Sequence, residues 1–119
     1  MGVETSYGSR KFYIINRIMD KAAFLKNKAD YIRGEVINIS TKNKAGHIAP
    51  SLSCIDILVA LYYSAMSYKS ENCLWEERDR LIFSKAHGCY ALYAILADKG
   101  IMPKEEWEDF YTQESTLLG

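Results

Sequence analysis

From Phe12 to about Lys42, apolar residues recur at the spacing of a helix face. Ile15, Ile18, Met19, Ala22, Leu25, Ala29, Ile32, Val36 and Ile39 follow one another mostly at steps of three and four. The run is long for one helix, and Gly34 or the Asn16 region is the expected break. Residues 1–11 are polar and glycine-bearing, which suggests a loose lead-in. Asn43 to Ser51 is rich in small residues and breakers and reads as a loop. Ser53 followed by Asp56 can form a capping box, opening a second helix that carries Ile55, Leu58, Val59, Leu61, Tyr62 and Met66. A charged connector, Glu71 to Arg80, precedes Leu81-Ile82-Phe83-Ser84, a short apolar run expected to be a buried strand. Lys85 to Gly88 turns into a third helix, Tyr90 to Lys99, closed by Gly100 at a position suited to a left-handed cap. Pro103 opens a fourth helix through Tyr111, with Glu105, Glu106 and Glu108 near its positive end.

This order predicts the start of an α/β layer fold, mostly helical, with one short strand. A single strand makes no sheet, so the strand implies pairing with sequence or chains beyond this segment. The expected division is a lead-in, 1–11, and one domain, 12–119. A length of 119 residues is enough for one domain and its core and too little for two.

Composition narrows the function classes. Hydrophobic residues make up 49% and charged residues 25%, a globular balance. Fifteen basic residues cancel fifteen acidic ones, so no net field recruits nucleic acid or a membrane. No uninterrupted apolar run approaches the roughly 18 residues that span a bilayer. Cys54, Cys73 and Cys89 show no paired spacing; they argue against a disulfide framework or zinc knuckle and suit a reducing cytoplasm. The charge is nevertheless uneven: Arg10 to Arg33 holds seven basic and two acidic residues, and Asp98 to Gly119 holds six acidic and two basic. Such blocks are solvated helix faces or a surface for a partner or a phosphate, and the sequence leaves both open.

The two histidines, His47 and His87, both sit in turns beside glycine. Glycine lets backbone approach a ligand, and a turn before a helix offers N–H groups to an anion. Imidazole can donate to a phosphate or shuttle a proton near neutral pH. The alternative for each is a hydrogen-bonded bystander. Ser84-Lys85-Ala86-His87-Gly88 lies where a strand end meets a helix, the place where open α/β sheets bind ligands. It is not a P-loop, and neither a metal-ligand spacing nor a nucleophile elbow is present.

Three segments resemble one family. Ala45-Gly46-His47-Ile48-Ala49-Pro50-Ser51-Leu52-Ser53 resembles the Ala-Gly-His-Ile-Gly-Gly-Ser-Leu-Ser loop of split transketolases. Arg78 to His87 resembles their Arg-Asp-Arg…Ser-Lys-Gly-His strand and turn, and Ala91-Leu92-Tyr93-Ala94 with Gly100 the helix that follows. The resemblance implies the beginning of a thiamine-diphosphate-binding, pyrophosphate-type domain: the N-terminal part of an enzyme moving a two-carbon ketol unit between sugar phosphates. It implies thiamine diphosphate and Mg2+ as cofactors, a cytoplasmic dimer or other homo- or hetero-oligomer, and a C-terminal subunit carrying the pyrimidine-binding domain. It gives His47 a place beside the reacting carbon of the substrate and His87 a place at the cofactor phosphates and a substrate hydroxyl. It makes Ser51, Lys85 and Gly88, with His87, candidates for binding the cofactor by orienting the two loops.

This chain departs from the pattern at Ala49, Pro50 and Ala86, where the family keeps glycine. Gly119 aligns with the glycine of a Gly-His-Pro motif, and the Gly-Asp-Gly…Asn motif that holds the metal is absent, so no metal ligands are expected here. The expectation is a truncated piece, inactive until further sequence or a partner subunit completes it. The alternative is a non-catalytic fragment or interaction module that has lost the metal site. A third reading, the related 1-deoxyxylulose 5-phosphate synthase, fits less well, because its Asp-x-Gly-His-Gln motif differs from Ser84-Lys85-Ala86-His87-Gly88-Cys89.

Overall fold

The computed structural model describes residues 2–44 and 48–117, with side chains from Arg10 onward. Its first element, α1 (Gly2–Asn43), is one 42-residue helix. The expected break does not occur. Gly34 has nothing within 4 Å of where its Cβ would lie, so it neither kinks the helix nor admits a neighbour. A glycine there costs about 1 kcal/mol relative to alanine. Burying Ile32 and Val36 on either side contributes about 1.5–3 kcal/mol each, which outweighs that cost. The helix takes in the segment expected as a lead-in from Gly2 onward, and Lys44, at φ 53, turns the chain out of it.

α2 (Ile48–Ala60) begins earlier than the capping box suggested. Ser53 lies inside the helix, where its hydroxyl donates to the Pro50 carbonyl at 3.0 Å instead of capping an end. Pro50 is tolerated because the first turn of a helix has no intrahelical partner for its N–H groups. A π-helical turn, Leu61–Ala65, ends the element, closed by the Met66 N–H on the Leu61 carbonyl at 2.8 Å. Ile48–Ala65 is long and apolar enough by composition to cross a membrane, with mean hydropathy 1.5. Of that window 28% is buried, with Ile55, Leu58 and Val59 the apolar residues that pack against α1 and α3.

The connector is pinned once: Ser67 and Asp79 exchange two hydrogen bonds, each 2.7 Å. The strand expected at Leu81–Ser84 is corrected here, and with it the α/β assignment for this segment. No strand forms among the described residues. The alternation that suggested it is real, because Leu81 and Phe83 pack against the core while Ile82 is 90% exposed. A strand, however, is defined by hydrogen bonds to a neighbour, and no described segment lies alongside to supply them.

A 3-10 turn (Ala86–Gly88) leads into α3 (Cys89–Asp98), and Gly100 takes the expected left-handed conformation at φ 70. α4 (Lys104–Glu108) is shorter than expected, with Pro103 before it and a left-handed Tyr111 (φ 70) after it. Its short length reflects packing: Trp107 and Phe110 turn inward onto Tyr90, at ring-centroid distances of 6.1 and 4.8 Å. Asn43 closes this end of the core, donating to the Phe110 carbonyl at 2.5 Å. Trp107 Nε1 donates to Glu35 at 3.1 Å, so a buried indole is satisfied.

Candidate functional site

The corner where the first turns of α2 meet the 3-10 turn gathers most of the sequence-predicted site residues. Ser51 is fully buried, and its hydroxyl donates to the His87 carbonyl at 3.4 Å. Lys85 reaches back to α2 and donates from Nζ to the Ser53 hydroxyl at 2.6 Å. Gly88 is buried in the same seam. A Cβ at Gly88 would stand 2.9 Å from Phe83 Cζ and 3.2 Å from Cys54 Sγ, so any larger residue would have to displace the ring and press on the sulfur for the turn to sit this close to α2. Ser51, Lys85, His87 and Gly88 are thus brought together. His47 lies outside the described residues; its chain neighbour Ile48 opens α2 at this corner.

Ser53 is the site residue that sequence reasoning missed, because its spacing to Asp56 gave it a capping role. Burial pushes the Cys54 thiol up, against the opposing pull of Lys85, and burial does the same to Cys89. His87 and Lys85 are exposed, so an imidazole and an ammonium face solvent beside the exposed Ser53 and the buried Ser51 hydroxyl. That donor set suits an oxyanion, and a phosphate above all. It does not suit a metal: among the described residues no group of three His, Cys, Asp or Glu could hold one. A groove of about 380 Å³ lies elsewhere, lined by Tyr62, Tyr68, Arg78, Leu81 and Leu96, and none of the corner residues lines it.

A second polar cluster braces the scaffold. Asp98 accepts from Lys28 Nζ at 2.7 Å and from the Tyr63 hydroxyl, tying α1, the π turn and α3 together. Burial opposes ionisation of Asp98, but the Lys28 and Tyr63 hydrogen bonds outweigh it and hold the carboxyl below its ordinary range. Burial, with that same hydrogen bond, pushes the Tyr63 hydroxyl up.

Comparison with known proteins places this corner in a family. Residues 25–119 match the family model of the transketolase thiamine diphosphate binding domain. The chain is 44% identical over 81 residues to the 6-deoxy-6-sulfo-D-fructose transketolase subunit of Clostridium sp. (strain MSTE9), covering 68% of this chain and 30% of that protein. It is 37% identical over 95 residues to an apulose-4-phosphate transketolase subunit of Phocaeicola vulgatus, covering 80% and 34%. It is 31% identical over 99 residues to the transketolase of Homo sapiens, covering 83% and 16%. The chain therefore spans about a third or less of these relatives. A match over most of its residues, including the corner of α2 and the 3-10 turn, shows that the chain belongs to the transketolase family, within the N-terminal thiamine diphosphate-binding domain.

Proposed function

We propose that this chain forms one wall of a thiamine-diphosphate site in an enzyme that transfers a two-carbon ketol unit between sugar phosphates. The observation that supports the reading is that Lys85 bonds to Ser53 and Ser51 bonds to the His87 carbonyl, which ties the Lys85–Gly88 turn to the first turns of α2 within the segment that matches the family model. When bound, the cofactor supplies a nucleophilic ring carbon that accepts and releases the ketol unit. Lys85 and His87 hold the diphosphate end through charge-assisted hydrogen bonds. Ser51 and Ser53 fix the turn that carries them. His47 and His87 move hydroxyl protons of the substrate, a task for which an imidazole has both a donor and an acceptor nitrogen.

A divalent metal belongs to the same proposal, with its ligands outside the described residues. A second subunit carrying the pyrimidine-binding domain completes the site, in line with the relatives named as transketolase subunits. Three free cysteines suit the reducing cytoplasm where such an assembly works. A non-catalytic role is the second reading, favoured by Ala49 and Pro50 in the first turn of α2 and Ala86 in the 3-10 turn, positions at which the resembled family pattern has glycine.

Calorimetric titration of the chain with thiamine diphosphate and magnesium tests how much of the site is present. The expected result is no binding in the micromolar range, because the described residues include no cluster that would hold the metal. Micromolar binding by the chain alone would overturn the view that the site is shared.

A further inference from the structure

The groove of about 380 Å³ opens beyond the C-terminal end of α2, the opposite end from the cofactor corner. Its charge is lopsided. Lys69, Arg78 and Arg80 line it against one acid, Asp79, and the connector's Glu71, Glu76 and Glu77 do not line it. Asp79 is engaged at the rim, where its carboxylate accepts from the Ser67 N–H and its own N–H donates to the Ser67 carbonyl. Among the described residues, none of the three cations is ion-paired. Lys69 lies over the Trp75 ring, 4.5 Å from its centroid. The two guanidinium groups are pinned by main-chain carbonyls instead. Arg78 donates to Trp75 at 2.8 Å, and Arg80 donates to Glu76 and Arg78 at 3.2 and 3.4 Å. A guanidinium carries five N–H donors, so each keeps several for a ligand. Two fixed forks with uncompensated charge suit a phosphate.

The rest of the groove is flat and apolar. Tyr62 and Tyr68 pack edge to face with ring centroids 5.5 Å apart, and the Tyr68 hydroxyl donates to the Tyr62 carbonyl at 2.6 Å, which fixes the pair. Leu81, Leu96 and Ile101 complete this half. Such a surface takes a planar, partly apolar body through ring contacts. A planar body joined to a phosphate is a nucleotide. The volume, toward the lower end of the range for small-molecule pockets, has room for one nucleotide and not for a strand.

We propose that this groove binds a nucleoside monophosphate, with the base against Tyr62 and Tyr68 and the phosphate on Arg78 and Arg80. Calorimetric titration of the 119-residue chain with AMP, adenosine and inorganic phosphate tests it. AMP should bind with a Kd of about 0.1 mM, and adenosine and phosphate at least about tenfold more weakly. Arg80 is exposed, so Arg80→Gln should keep the far-UV circular dichroism of the wild type and weaken AMP about tenfold. Lys85→Gln, at the cofactor corner, should leave AMP affinity unchanged. The proposal is overturned by an absence of AMP binding at about 10 mM, or by AMP binding indifferent to Arg80→Gln. Phosphate as tight as AMP would reduce the groove to an anion site, and adenosine as tight as AMP would remove the phosphate contact; either result contradicts it. A loss of AMP binding with Lys85→Gln would contradict it too, moving the phosphate to the cofactor corner.

Discussion

Gly88 shows how closely the site corner is built. An added methyl meets the end of the Phe83 ring and Cys54 Sγ, and although the ring can swing, the sulfur is anchored on α2. Gly88→Ala should therefore cost about 1–2 kcal/mol, read as a lower urea midpoint with unchanged slope. Asp98 sets an acid limit. Its carboxyl titrates below its ordinary 3.8, so its contribution is complete above that value and is lost as pH falls through the folded one. Asp98→Asn should cost about 1 kcal/mol at neutral pH, after discounting for solvent, and the gap to the wild type should close below about pH 4 in denaturant titrations. Among single residues the sequence was partly legible. His87, Ser51 and Lys85 stood out by their neighbours, whereas the Lys85–Ser53 bond joins positions 32 apart and leaves no local trace.

Helices were read from their periodicity, and their ends less well. The stripe from Leu25 to Ile39 and the left-handed Gly100 appear as the pattern implied. The α2 cap failed because Ser-x-x-Asp is equally compatible with a serine bonding back one turn inside a helix, as Ser53 does onto Pro50. The strand at Leu81–Ser84 failed for a different reason: alternation is a property of the segment, but pairing needs a neighbour. Two glycines separate intrinsic cost from conformational need. Gly34→Ala, in a helix with open space around it, should stabilise by about 0.5–1 kcal/mol. Gly100→Ala, forced to φ 70, should destabilise by about 1 kcal/mol. Thermal melting of the pair checks both signs.

For the whole molecule, the balanced charge concealed an uneven distribution: a basic excess from Arg10 to Arg33 on α1, and an acidic excess from Asp98 onward in which Lys104 pairs with Glu108. Family membership was legible because three motifs fall in order along the chain, and their corner is a packed seam rather than a set of separate loops. The chain spans 30% of one transketolase-subunit relative and 34% of another, and the shared site is the reading proposed for it. Its wall carries donors for a phosphate, and no described cluster for a metal. The decisive experiment is a ketol-transfer assay of the chain alone, then mixed with polypeptides carrying the remaining diphosphate-binding residues and the pyrimidine-binding domain. A shared site should give no turnover alone, turnover in the mixture, and loss of at least roughly a hundredfold with His87→Ala. Turnover by the chain alone, or a reconstituted mixture that stays inactive or is indifferent to His87→Ala, would refute it.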